Sequence, residues 1–259
     1  MAIISVKSSD DVNKPEVLEA AKEVIRRHPR LQAVYAKIET EGVYRTPKLA
    51  LIIGKPVEQT WHKENGLYFR VTLGKTYFNP KLATEHLYIA RLADSLKARK
   101  VADLFSGVGG YALTIAAYSE TVRLILANDL NPYSIADLHA SIYRNRRRIK
   151  DKIIATLCED ARRLPKLLSK TEFDFLILDF PQGSENFIDS ALDIAGPTFN
   201  LIVYRVLGEN EVDNFIHIVK KLASKVALCE IQSVRPALDY APRKYVYRFH
   251  FACSKHTNT

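Results

Sequence analysis

The residues best placed to do chemistry are a glycine-rich loop and a set of aspartates, each following an apolar run. Asp103-Leu104-Phe105-Ser106-Gly107-Val108-Gly109-Gly110 ends one such run and opens a helical stretch. Glycines there let the backbone turn sharply and approach a ligand closely. Ligands of open α/β sheets lie at the carboxyl ends of the strands, where this loop would sit. Asp129, in Leu-Ala-Asn-Asp-Leu-Asn-Pro, closes the next apolar run, where a carboxylate can accept both hydroxyls of a ribose. Asp160, in Leu-Cys-Glu-Asp-Ala-Arg-Arg, closes a third, at the place of an adenine amino group. Either aspartate alone reads equally well as a helix cap. A dinucleotide site would prefer a strict G-x-G-x-x-G, and Ala112 breaks that pattern.

These residues need a scaffold that lines up strand ends. From residue 99 onward, apolar runs alternate with amphipathic stretches. The strand candidates are KVADLF, RLILAND, KIIATLC, FDFLILDF, FNLIVYR, KVALCEI and YVYRFHFAC. Helices are predicted over 110–118, 132–147, 161–169, 184–194 and 210–224. This alternation predicts an α/β fold with a mostly parallel seven-stranded sheet covered by helices on both faces. The last strand follows the sixth without a helix, so it should run antiparallel. Residues 15–27 read as a short helix opened by Pro15, and 82–98 as another. Between them, 31–78 holds short β-rich runs broken by Glu-Gly, Gly-Lys-Pro and Glu-Asn-Gly turns, which predict a small antiparallel sheet. The expected division is a small α+β domain over 1–94 and a catalytic domain over 95–259.

The 259 residues include 38 Lys and Arg against 29 Asp and Glu, a net charge of +9. That surplus points to a polyanionic partner. Six cations crowd one short stretch: Arg144, Arg146, Arg147, Arg148, Lys150 and Lys152, with Arg162, Arg163 and Lys166 as an extension. A solvated helix end would look similar, but beside the net charge this run favours phosphate contact. The cysteines Cys158, Cys229 and Cys253 are sparse, odd in number and form no CxxC pair, so neither a zinc site nor a structural disulfide is expected. No metal is expected. The N-terminus reaches charge too early for a signal peptide, and no apolar run approaches a membrane span. These features predict a cytoplasmic protein, without a membrane partner and monomeric.

The loop D-L-F-S-G-V-G-G and the strand pattern resemble the class I S-adenosylmethionine-dependent methyltransferases, whose loop reads D-x-F-x-G-x-G. The segment Tyr77-Phe78-Asn79-Pro80-Lys81-Leu82-Ala83-Thr84-Glu85-His86 resembles the F-N-x-R-L-x-x-E-R signature of archaeal and eukaryotic tRNA (guanine-N1)-methyltransferases that act at purine 37. Tyr44-Arg45-Thr46, the His62–Gly66 stretch, Leu130-Asn131-Pro132 and Tyr240-Ala241-Pro242 resemble the same family. The likeness runs over roughly residues 30–259. It implies a Rossmann-like domain that binds S-adenosylmethionine through Asp103, Phe105, Gly107, Gly109, Asp129, Leu130, Asp160, Asp179 and Pro181. It implies tRNA as partner and three catalytic residues: Glu85, Arg45 and Asp179. Glu85 would remove the N1 proton of guanine, and Arg45 would steady the charge developing on O6. Lys81, Tyr240 and Arg243 would join the 144–150 cations in contacting RNA.

Three departures from the family pattern stand out. Lys81 and His86 occupy places where Arg is frequent, and Asp179, in Asp179-Phe180-Pro181-Gln182, stands where Asn is usual. An amide both donates and accepts hydrogen bonds, whereas a carboxylate only accepts, so this exchange alters what the site can read. The chain also begins close to the small β-rich region, which implies a short form without the extra N-terminal domain that grips the outer corner of tRNA. Methylation of C7 of imidazoguanosine in wyosine synthesis is a related outcome on the same scaffold. Two other readings are an aminocarboxypropyl transferase of the wyosine pathway, which uses the same cofactor, and a non-catalytic RNA-binding protein with a vestigial cofactor site.

Overall fold

The computed structural model describes residues 1–149, 151–168 and 171–256. At the N-terminus β1 (Ala2–Ser5) pairs in parallel with β2 (Ala33–Glu41), and α1 (Pro15–Arg27) crosses between them. A turn over 42–45 leads into β3 (Thr46–Gly54), antiparallel to β2. Next, β4 (Gln59–Glu64) and β5 (Leu67–Thr72) form a hairpin of their own. Its turn residues Asn65 and Gly66 both take positive φ, the geometry a two-residue hairpin turn needs. The single antiparallel sheet expected over 31–78 is therefore two sheets, the first of them completed by a parallel strand at residues 2–5. The break falls at Gly54 (φ 100°), where a Cβ would lie 2.2 Å from the Gln32 carbonyl oxygen, and at Pro56, two residues later.

Beyond the hairpin the chain alternates as expected. The order is α2 (Ala83–Ser95), β6 (Lys100–Asp103), α3 (Gly110–Tyr118), β7 (Leu124–Asn128), α4 (Pro132–Asn145) and β8 (Ile153–Leu157). It continues with α5 (Leu164–Leu167), β9 (Phe173–Leu178), α6 (Ile188–Ile194), β10 (Ala195–Leu207), α7 (Val212–Ala223), β11 (Ala227–Ala241) and β12 (Lys244–Lys255). The seven strands from β6 onward form one sheet in the order β11-β12-β10-β9-β6-β7-β8. Neighbours from β10 to β8 are parallel, and β12 runs antiparallel to both β10 and β11. The strand order reverses between β6 and β9, so a crevice opens above their carboxyl ends. Asp103 pairs in register with Ile177, which sets the residues after both strands side by side.

The sheet separates two apolar cores. One holds Leu176, Leu178, Leu201 and Phe249 under α6 and α7. The other holds Val101, Ile125, Phe175 and Ile177, and it also takes in Leu67, Phe69 and Val71 of β5 and Ile89, Ala90 and Ala93 of α2. The division expected at 94/95 thus falls inside one continuous core. Helix α4 reinforces this join. Its buried Asp137, Ser141 and Asn145 recur every four residues, and they accept the backbone N–H groups of Thr72, Arg70 and Tyr68 at 2.7, 2.9 and 3.0 Å. Four helical residues rise about 6 Å and two strand residues about 6.6 Å, so the two ladders keep step.

The cysteines depart from the sequence expectation that none is paired. Cys229 and Cys253 face each other in register across β11 and β12, with Cα atoms 4.1 Å apart, and form a disulfide. Sparse spacing concealed this, because a hairpin brings residues far apart in sequence into direct opposition. Cys158 is free and exposed. Among the described residues no helix is long and apolar enough to cross a membrane.

Candidate active site

A cavity of about 300 Å³ opens above the crevice. Its floor is the glycine loop. Gly107 and Gly109 both take positive φ (54° and 100°), and a Cβ at Gly109 would lie 2.5 Å from a Leu138 methyl. Gly110, the first residue of α3, packs so closely on the His86 ring that a Cβ would stand 2.6 Å from it. Glycine is thus required at two successive positions, once for conformation and once for closeness.

Asp103 is fully buried at the end of β6, and its Oδ2 has no hydrogen-bond partner among the described residues. Burial raises its carboxyl well above the usual range, with Asp179 adding to the effect. Ser106 Oγ and Asn128 Oδ1 are likewise buried and unpartnered. Asp129 follows β7 and accepts from the backbone N–H of Gly107 and of Asn131, both at 2.8 Å. Its carboxylate therefore fastens the glycine loop while keeping lone pairs toward the cavity. Burial raises its pKa, offset by those two donors. These unsatisfied acceptors around a glycine cradle fit a ligand with an ammonium group and ribose hydroxyls. Leu130, 42% exposed, lines the same cavity. Asp160 lines it as well, but its side chain caps the turn after β8 through Arg162 N–H at 3.0 Å. It also pairs with the Arg162 guanidinium, which lowers its pKa. The cap reading of Asp160 describes what the structure shows.

On the other side stand the residues after β9. Phe180 stacks on Phe105 with ring centroids 5.2 Å apart, and Phe187 meets Phe105 edge-on at 4.8 Å. The Pro181 carbonyl accepts from Val206 N–H (2.8 Å) and from the Arg205 guanidinium (3.0 Å), which fixes this loop to β10. Asp179 lines the cavity beneath them. Burial pushes its carboxyl up to about 6, with His86 pulling it down and Glu85 pushing it further up. At the mouth, Arg45 sits in the β2–β3 turn with φ 51° and donates to Gln182 Oε1. The Gln182 amide in turn donates to the Tyr240 hydroxyl at 2.7 Å. Three distant segments thereby meet at one rim.

Glu85 is placed differently from its expected role. It lies in the first turn of α2 and accepts from Arg248 Nη1 at 2.7 and 2.8 Å and from the Tyr204 hydroxyl at 2.7 Å. It is not among the cavity-lining residues, whereas Tyr204 and His86 are. Arg248, 5% exposed, also packs on the Tyr88 ring at 4.0 Å. His86 Nδ1 pairs with the buried Glu64 at 2.6 Å. Sequence reasoning missed Arg248, Tyr204 and the His86–Glu64 pair. A signal existed for Arg248: a lone guanidinium within Tyr-Val-Tyr-Arg-Phe-His-Phe must find a partner or be expelled.

The expected RNA contacts separate into two groups. Lys81 and Arg243 are exposed, Lys81 in the short 3-10 turn before α2 and Arg243 in the β11–β12 turn. Arg144, Arg146, Arg147 and Arg148 are exposed around the C-terminal end of α4, while the start of that helix lines the cavity at Ser134. A helix of this length puts them roughly 15–20 Å from the cavity. Arg144 lies over the rings of Trp61 (4.8 Å) and Tyr68 (4.5 Å), and Arg146 over Tyr143 (4.6 Å). Lys150 lies outside the described residues.

Comparison with known proteins places this architecture. A tRNA (guanine(37)-N(1))-methyltransferase, Trm5b of Pyrococcus abyssi, is 29% identical over 91% of this chain and 68% of its own length. Its crystal structure superposes with a TM-score of 0.81, covering 97% of this chain and 72% of that one, at 26% identity. A structure of the complex of aTrm5 and tRNALeu superposes at 0.79, covering 96% of this chain and 69% of that one, at 28% identity. TYW2 of Pyrococcus horikoshii in complex with MeSAdo shares the fold at 0.77, covering 98% and 88%, with 20% identity. The model of the TRM5/TYW2 methyltransferase domain matches residues 60–232, from the β4–β5 hairpin through the crevice into β11. The chain belongs to the TRM5/TYW2 methyltransferase family.

Proposed function

We propose that this protein transfers a methyl group from S-adenosylmethionine to N1 of guanine 37 in tRNA. One observation carries the reading. The cradle that fits the cofactor opens directly beside Asp179, beneath a rim formed by Arg45, Gln182 and Tyr240. The cofactor supplies an electrophilic methyl on a sulfonium. Asp103 suits its ammonium group, Asp129 its ribose, and Gly107 and Gly109 the close backbone approach. Phe105, Leu130 and Pro181 wall it in, with Asp160 at the adenine end. Arg45 offers donors to O6, where negative charge grows as N1 loses its proton. That proton needs a carboxylate, for which Glu85 and Asp179 are the nearby groups. Tyr240 offers a face on which a flipped base can stack. Lys81, Arg243 and the arginines from 144 to 148 give tRNA phosphates a surface wider than the cavity itself. Action on tRNA suits a cytoplasmic protein.

The deciding experiment incubates the protein with unmodified tRNA and isotopically labelled S-adenosylmethionine, then identifies the product nucleoside by mass spectrometry. 1-Methylguanosine at position 37 is expected. An added aminocarboxypropyl mass, or no transfer at all, would overturn the reading.

A further inference from the structure

We propose that a depression between the β4–β5 hairpin and the end of α4 binds unpaired bases of the RNA substrate on the exposed rings of Trp61 and Tyr143. The inference rests on the tRNA reading above and adds to it a second nucleotide site, outside the cavity. The alternation of the hairpin creates the surface. Leu67, Phe69 and Val71 of β5 point into the core. The residues between them therefore form the opposite face, where Tyr68 pairs with Lys63 and Arg70 with Trp61. Against this face α4 sets Tyr143, Arg144, Arg146 and Arg147, and together they frame about 580 Å³.

Single exposed aromatics are ordinary on a protein surface. Here Trp61, 41% exposed, and Tyr143, 70% exposed, share one depression with three arginines. The cations are ordered by the rings. Arg144 lies over Trp61 and Tyr68, Lys63 over Tyr68 at 5.4 Å, and Arg146 over Tyr143. A guanidinium held in this way is itself a plane on which a base can stack. Among the described residues no carboxylate lines the depression.

Rings interleaved with cations are the chemistry that receives single-stranded nucleic acid. The rings take bases of any identity, and the cations take the phosphates on either side. A paired stem brings phosphates to this surface but keeps its base faces stacked inside the helix. An acidic peptide would satisfy the cations and leave the rings uncovered. The length of α4 places the depression roughly 15–20 Å from the cavity, which is about five nucleotides of a stacked strand. It therefore holds a nucleotide other than the one modified, and it contributes affinity and register, not chemistry.

Trp61 is the only tryptophan of the chain, so its fluorescence reports this site directly. The test titrates the protein with unmodified tRNA, a single-stranded oligouridine, a fully paired RNA duplex and polyglutamate while Trp61 emission is followed. Affinity for tRNA is measured over a range of salt for the wild type, Trp61→Leu, Trp61→Phe and Tyr143→Leu. The tRNA and the oligouridine should quench the emission, and the duplex and polyglutamate should not. Trp61→Leu and Tyr143→Leu should each weaken tRNA binding about 5–150-fold. The slope of log affinity against log salt should stay that of the wild type, because no phosphate contact is lost. Trp61→Phe retains a stacking face and should stay close to the wild type. The proposal is overturned if oligouridine leaves the emission unchanged, or if the duplex or polyglutamate quenches it equally. It is also overturned if Trp61→Leu binds tRNA as the wild type does, if Trp61→Phe loses as much as Trp61→Leu, or if the loss comes with a reduced salt slope. Quenching by oligouridine without methyl transfer to guanine 37 sinks the methyl-transfer reading and leaves this site standing. Transfer without quenching sinks only this site.

Discussion

The Glu85–Arg248 pair offers a direct measure of how the site is held together. The two side chains are 12% and 6% exposed and meet at 2.7 Å. They link the start of α2 to the antiparallel strand β12, and Tyr204 of β10 donates to the same carboxylate. Replacing Arg248 by Met keeps the apolar stem against Tyr88 but leaves the Glu85 charge with Tyr204 alone. Breaking a buried pair in this way costs about 3–5 kcal/mol. For a chain of this size that corresponds to a fall in melting temperature of roughly 10 °C. Glu85→Gln strands the opposite charge and should cost somewhat less, because the amide oxygen still accepts. The double variant should be more stable than the sum of the two losses implies, with a coupling of about 1–3 kcal/mol. Thermal or urea unfolding of the four proteins closes the cycle. A single-variant cost below about 1 kcal/mol, together with additive effects, is the behaviour of an exposed ion pair. That result would refute the view that Glu85 is held as a buried counter-ion.

Asp179→Asn should stabilise the cofactor-free fold at pH 8, because the wild type is penalised for a desolvated charge. The penalty is absent below pH 3.8, develops as pH rises, and is complete above about 6. At about 1.4 kcal/mol per pH unit it reaches roughly 3 kcal/mol, and equal stability of the two proteins at both pH 4 and pH 8 would contradict it. Asp129→Ala removes the acceptor of Gly107 and Asn131 N–H together with the ribose contact. Calorimetry should show cofactor affinity reduced about 10–100-fold, and full retained affinity would remove Asp129 from the ribose role. Affinity for tRNA should fall steeply with salt. Replacing Arg146 and Arg147 by Gln should lower the log–log slope by about 0.7–0.9 for each phosphate that is no longer neutralised, whereas a flat salt dependence would argue against the α4 cations as a phosphate site.

The parts of the fold and site that could be read from sequence are those whose cause is local. The glycine loop needs positive φ at Gly107 and Gly109, so its composition betrays its shape. The alternation of strands and helices after residue 99 is a periodic signal, and the helix-free link PALDYAPRK is too short for a parallel crossover, so the last strand must run antiparallel. What escaped depends on contacts between distant segments. The Arg248–Glu85 pair joins β12 to α2, and the Cys229–Cys253 bond depends on strand register. The cations from 144 to 148 read in sequence as a run suited to phosphate contact, but only the length of α4 shows how far from the cavity they lie. Asp160 illustrates a genuine ambiguity: cap and ligand both require a carboxylate after a strand, and here the residue that caps through Arg162 also lines the cavity.

The side-chain ladder of α4 has a consequence for solubility. Strand β5 pairs only with β4, so its other edge would present free N–H groups to any passing strand. Such edges seed intermolecular sheet growth unless something blunts them. Here Asp137, Ser141 and Asn145 occupy those groups from a helix, which has no free backbone edge of its own to continue a sheet. Addition of strands from neighbouring molecules therefore stops at the β5 edge, which is blunted without a proline, a bulge or a further strand.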